Sequence, residues 1–183
     1  MADDHTPSDE FLKAMALVIL EWARAEHVIE WSLAELTHGS AIEGPDDAGF
    51  VRLLINNTDA RTMAGLLKVM FRARFFADAD AFDRLVDRLM KERPRRDVIA
   101  HGRWRAGSRP RSYAAVTFKS VGRLGVETHE FTPEELRSLA DRVHRKAREV
   151  AHFLNARGYW KTPASLQSLN DVATPAAGNA DHS

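Results

Sequence analysis

The strongest constraint on the fold is a periodic apolar stripe near the N-terminus of this 183-residue chain. From Phe11 to Gly39 its members recur in alternating steps of three and four, which places them on one face of a helix. They are Leu12, Met15, Ile19, Trp22, Glu26, Ile29, Leu33 and Leu36. The pattern predicts one long helix that ends at Gly39 and buries this face against other helices.

Shorter segments with the same period follow. Phe50 to Ile55 predicts a short helix, Thr58 is expected to cap a third, and a fourth ends near Pro94, which either kinks or restarts it. The expected core positions of the third and fourth helices are Met63, Leu66, Leu67, Met70, Phe71, Phe82, Leu85, Val86, Leu89 and Met90. Gly102, directly after His101, predicts a left-handed helix stop.

The pattern changes between Tyr113 and Phe131, where YAAVTF and LGVETHEF alternate β-branched and aromatic residues around turn glycines and predict a β-hairpin. TPEE then predicts a helix start, with Thr132 as N-cap and Glu135 completing a capping box. The last stripe is Leu136, Leu139, Val143, Ala147, Val150 and Leu154. We therefore predict an all-α fold, a bundle of four or five helices with a small β-hairpin before the last helix.

Composition narrows the possible chemistry. The 26 Lys plus Arg residues balance 26 Asp plus Glu, so affinity for a polyanion has to come from a local patch. The absence of cysteine excludes disulfides and thiolate chemistry, and no apolar run reaches the roughly 20 residues that span a bilayer. We expect a cytoplasmic protein without a membrane contact or cofactor, with a disordered lead at 1–9, a helical domain at 10–160 and a flexible tail at 161–183.

A basic stretch, RRDVIAHGRW, is the candidate site. Asp97 and His101 are four residues apart, so they lie one above the other on a helix, and this pair together with the helix dipole favours a protonated imidazole. Arg96 lies about 140° around the helix from His101. We take Arg96, Asp97 and His101 as candidate catalytic residues, with His101 moving protons.

Arginine suits phosphate, because its planar guanidinium offers paired donors. Eight basic and two acidic residues lie between Lys91 and Arg111. Within this run Arg95, Arg103 and Arg105 are candidate substrate-binding residues, and an exposed Trp104 would stack a base. The structural alternative is an ordinary helix end with solvated arginines and a packed Trp104, and His38, His129 and His152 are interpreted as surface residues.

Glu26 is the charged member of the first stripe. An unpaired buried carboxylate costs several kcal/mol, so Glu26 should have a cationic partner, such as an arginine of the candidate site, or be protonated. The alternative is that the stripe is wide at this point and Glu26 leans into solvent. We include Glu26 among the candidate substrate-binding residues.

Arg96, four residues and then His101, near a helix end in a small helical chain, resembles the motif of the HEPN superfamily. The fuller string RDVIAHGRW, followed by a hairpin and then FTPEEL, is similar to a group of bacterial HEPN-like proteins over roughly Phe11 to Leu154. The resemblance implies an HEPN-like domain at 10–160 and a homodimer that brings two copies of the motif together. Many members are metal-independent endoribonucleases, often toxins with an antitoxin partner or defence components, while others only bind or scaffold.

Two kinds of function follow from these observations. The first is an endoribonuclease that uses Arg96 and His101 at a dimer cleft, and the second is a non-catalytic module that binds a nucleotide, RNA or a protein through the same basic edge. A carboxylate-bridged di-iron site, another chemistry that helical bundles support, is not expected. We expect no metal.

Overall fold

The computed structural model describes residues 6–38, 58–119 and 125–159. In these ranges the chain forms α1 (Asp9–His38), α2 (Ala60–Arg74), a 3-10 turn (Phe76–Asp78), α3 (Ala79–Met90), α4 (Arg93–His101), β1 (Arg103–Ala106), β2 (Tyr113–Lys119), β3 (Gly125–Phe131) and α5 (Pro133–Ala156). The protein is mainly helical, with a three-stranded antiparallel sheet before its last helix. The predicted all-α class is therefore too narrow.

The hydrophobic core lies between the helices. The most extensive helix contact joins α1 to α5, and α2 and α3 pack against this pair. Trp22, Phe11, Phe71 and Phe82 are its largest fully buried side chains. Burial of a large apolar side chain stabilises the fold by about 1.5–3 kcal/mol. The stripe predicted for α5 is buried at every position, and its Thr132–Glu135 capping box is present, as predicted.

The N-terminal half of α1 corrects the predicted stripe by one residue. Leu12 is 39% exposed, while Phe11, Ala14 and Val18 are buried. Since α1 is apolar on adjacent faces here, the period alone does not choose between two registers that differ by about 100°. From Trp22 onward, the apolar residues of the predicted stripe are buried, as predicted.

The helix boundaries between α2 and α4 also needed correction. Asp59, not Thr58, caps α2, and its side chain accepts a hydrogen bond from the backbone N–H of Arg61. The predicted core position Leu66 is exposed. Pro94 restarts the chain as a new helix, because it lies in the first turn of α4, where its missing N–H costs nothing.

The sheet extends the predicted hairpin by one strand. Strands β2 and β3 pair as predicted, with Ala115 opposite His129, and β1 adds to the other edge of β2, with Trp104 opposite Ala115. The segment RWRA is short and basic, so its strand state depends on pairing with β2 rather than on local propensity.

Some predictions concern residues outside the described ranges. These are the Gly39 stop, the short helix from Phe50 to Ile55, most of the turn between β2 and β3, residues 1–5 of the lead and the tail at 161–183. The last residue of the predicted lead, Asp9, is the first residue of α1.

Candidate functional site

The start of α4 is fixed by a buried carboxylate. The Glu92 side chain is only 8% exposed and accepts a hydrogen bond from Lys146 of α5. Arg142 and Arg95 lie 3.6 and 3.4 Å from its oxygens. Burial alone raises the pKa of this carboxyl, but the Lys146 hydrogen bond and the three positive charges bring the pKa below its ordinary value. This ion cluster joins α4 to α5.

The end of α4 is fixed by a close approach to the sheet. Gly102 has an extended backbone (φ −68°, ψ 146°), which corrects the predicted left-handed stop. A Cβ atom at Gly102 would lie 2.6 Å from the carbonyl oxygen of Val98 and 2.7 Å from the Cβ of Ala115. The glycine is therefore needed because β2 packs directly against the end of α4.

His101 is exposed at this end of α4 and borders a groove of about 510 Å³. Helix α4 forms one wall of the groove, and β2 and β3 form the other. The lining residues are Pro94, Arg95, Asp97, Val98, His101, Thr117, Glu127 and His129. Among the described residues, no side chain hydrogen bonds the His101 ring.

Arg96 lies on another side of α4, outside this groove. Its guanidinium donates to Asp97 (3.1 Å) and lies 4.0 Å from Glu26 on α1. Glu26 also accepts a hydrogen bond from the Trp22 indole (2.7 Å), and its side chain is about one quarter exposed. The expected cationic partner of Glu26 is thus the arginine of the motif, and Arg96 is not among the described residues that line the groove of His101.

Asp97 differs from its expected role. Besides Arg96, its carboxylate contacts Arg93 one turn earlier, at 3.5 Å. It borders the same groove as His101 but is not hydrogen bonded to the imidazole. Asp97 is four residues from both Arg93 and His101, so the spacing allows it to pair with either one. In this chain its carboxylate pairs with guanidinium groups and not with the imidazole.

Much of the basic run is paired with carboxylates from distant segments. Arg93 contacts Asp59, Arg109 makes a two-pronged contact with Glu135 (2.9 and 3.0 Å), and Arg111 contacts Glu10. These partners are far away in sequence. A count of charges within the run therefore overestimates how much positive charge the surface exposes. Because ion pairing reduces the field available to a polyanion, the run is a weaker patch than its composition predicts.

Strand β1 separates the remaining candidates by face. Trp104 is partly buried and packs edge-on against Phe11, with ring centroids 5.1 Å apart, and against Phe131 at 6.0 Å. Trp104 therefore anchors the sheet to α1. This is the packed position that the structural interpretation of the basic run expected for it. Arg103 and Arg105 are exposed and alternate with Trp104, so they lie on the outer face of the sheet, away from the His101 groove.

The loop between β1 and β2 is organised by Glu130. Its carboxylate accepts hydrogen bonds from the Ser112 and Ser108 hydroxyls and from the backbone N–H of Arg109. These bonds, together with the Arg109 charge, lower the pKa of Glu130 to about 2. These bonds tie the loop to β3.

The sequence interpretation missed His129 and Glu127 as groove residues. Alternation along β3 places Glu127, His129 and Phe131 on one face, and Phe131 packs against the core. The hairpin pattern therefore contained the signal that His129 lies on the inner face of the sheet, near the helices. The missing information was that α4 covers this part of the sheet.

No protein-family model, curated protein or solved structure matches this chain. In the described ranges, no group of three or more His, Asp or Glu side chains is placed to hold a metal ion. None of the described helices has the length and apolar character needed to cross a membrane.

Proposed function

We propose that this chain is an HEPN-like protein that cleaves RNA without a metal ion, with His101 as its proton-transfer residue. The observation that carries the proposal is the exposed His101 ring at the tip of α4, beside a groove of about 510 Å³ and without a hydrogen-bonded side-chain partner in the described ranges. An imidazole can accept and donate protons near neutral pH. In the reaction, the RNA 2′-oxygen loses its proton and attacks phosphorus, the bond to the 5′-oxygen breaks, and that oxygen takes a proton.

The proposed active unit is a homodimer. The outer face of α1 carries Leu12 (39% exposed), Leu20 (48% exposed), Ala16 and Ala23 at helical spacing. This face runs along α1 to Glu26, the partner of Arg96. A second copy covering the apolar face would bury it and bring the two Arg96 side chains near the two-fold axis, where they would brace the developing charge.

The second candidate is a non-catalytic module that binds a nucleotide, RNA or a protein partner, including an antitoxin. The ion pairs of Arg93, Arg96, Arg109 and Arg111 favour it, since they leave fewer arginines to brace a phosphate. In this alternative, Arg95 and the imidazoles would hold a ligand in the groove without breaking a bond.

A cleavage assay on end-labelled RNA in EDTA tests the proposal. Wild-type protein should produce 2′,3′-cyclic phosphate and 5′-hydroxyl ends, and His101→Ala and Arg96→Ala should lose roughly 10²-fold or more of the rate. His152→Ala on the exposed face of α5 is the matched control and should cleave as the wild type does. Intact but retained RNA would support the binding module instead, and sedimentation of Leu20→Glu should show a monomer where the wild type is a dimer.

A further inference from the structure

The groove beside α4 contains two imidazoles rather than one. His101 comes from the helix wall and His129 from the strand wall. The walls are held together by the contact between Gly102 and Ala115, and Ala115 is the cross-strand partner of His129. Both histidines are therefore carried by regular elements whose separation is set by backbone packing.

The surroundings of His129 distinguish its two ring nitrogens. Its Nε2 atom is covered, lies 3.4 Å from the Glu127 carboxylate and has no hydrogen bond in the described ranges. This leaves Nδ1 as the nitrogen that can meet a bound molecule.

Cleavage of RNA by its own 2′-hydroxyl needs two proton transfers. One group takes the proton from the 2′-oxygen as it attacks phosphorus, and another gives a proton to the departing 5′-oxygen. Arg96 lies outside the groove and a guanidinium does not deprotonate in proteins, so Arg96 cannot be the second group. Arg95 does line the groove, and although it lies 3.4 Å from Glu92 its side chain is 59% exposed, so its charge is accessible to a phosphate.

We propose that His101 and His129 of a single chain form the proton-transfer pair of this site, with Arg95 holding the phosphate of an unpaired RNA nucleotide between them. This inference rests on the proposed ribonuclease function and deepens it. The acid and the base then come from the groove of one chain. The dimer contributes Arg96 and not the second proton-transfer group.

A substrate with a sulfur in place of the departing 5′-oxygen provides the test, because a thiolate leaves without taking a proton. On ordinary RNA in EDTA, His101→Gln and His129→Gln should each lose about 10²–10⁴-fold of the rate, and His152→Gln should lose none. On the thio substrate, one of the two groove variants, the one that lacks the acid, should regain most of its rate, and the other should not.

The outcomes separate the two proposals. If His129→Gln cleaves ordinary RNA as the wild type does while His101→Gln is inactive, the ribonuclease function stands and the histidine pair is rejected. If the thio substrate restores neither variant, or both, the pair is also rejected. If the wild type does not cleave at all, both proposals fail. The wild-type pH–rate profile is a check that needs no variant. A proton-transfer pair requires a rate that rises and then falls with increasing pH, and a rate that changes in only one direction overturns the proposal.

Discussion

Neutralising Glu92 should destabilise the protein far more than neutralising an exposed carboxylate. Glu92→Gln removes the negative charge that faces Lys146, Arg142 and Arg95. Breaking a buried ion pair on one side costs about 3–5 kcal/mol. The Lys146 and Arg142 side chains are 20% and 31% exposed, so water replaces part of the lost interaction. We expect a loss of about 2 kcal/mol in the free energy of unfolding, below the range for full burial.

The pH dependence has a definite sign. The pKa of Glu92 is below its ordinary value of 4.5 in the folded protein. Its ionised form therefore stabilises the fold above the unfolded pKa, and this contribution is lost as the pH falls through the folded value. The stability difference between wild type and Glu92→Gln should be constant from about pH 6 to 7 and shrink below about pH 4.5.

Urea unfolding followed by far-UV circular dichroism at pH 7 and pH 3.5 measures both effects. Thermal unfolding at pH 7 gives a second readout, because at this chain length a loss of about 2 kcal/mol should lower Tm by roughly 4–8 °C. Glu149→Gln is the matched control, because Glu149 pairs with Arg88 across a surface where both side chains are about half exposed, and such pairs contribute about 0–1 kcal/mol. Equal stability of the two variants at pH 7, or a difference that grows in acid, would refute the reasoning.

Three further substitutions test local features. Gly102→Ala should destabilise the protein by about 1–3 kcal/mol through the clash with Ala115, whereas Gly65→Ala, with open space around its Cβ in α2, should stabilise it by about 0.5–1 kcal/mol; thermal unfolding that ranks them the other way would contradict the packing argument. Glu130 should titrate near pH 2 by NMR, and Glu130→Gln should speed hydrogen exchange at the Arg109 amide, so unchanged exchange would show that the carboxylate does not order the loop.

The helical periods carried most of the prediction of the fold. Helix α5 was predicted with its cap and its whole buried stripe, because Thr132, Pro133 and Glu135 specify a start through local hydrogen bonds and backbone geometry. The register of α1 at Leu12 was wrong, since two adjacent faces are apolar and only packing against α5 chooses between them. Strand β1 was missed for a related reason, as its four residues form a strand only when β2 pairs with them.

The candidate site was predicted less completely than the fold. Sequence identified His101 at the end of a helix and the location of that end, because both are local. It offered an arginine of the site as a partner for Glu26, but it did not identify Asp59 and Glu135, since these carboxylates are contributed by other segments of the chain. His129 was interpreted as a surface residue and not as part of a site, because the sequence pattern does not show which element covers one face of a hairpin.

The sequence alone determined the helices with clear periods, the capping box of α5, the hairpin and the imidazole at the tip of α4, all of which follow from contacts within a few residues. Tertiary structure alone decided which guanidinium groups are neutralised, that Arg95 rather than Arg96 shares a groove with His101, and that His129 joins it there. The physical reason is range: hydrogen bonds and apolar periodicity act along neighbouring turns, whereas burial and charge pairing depend on segments that meet only when the chain is folded.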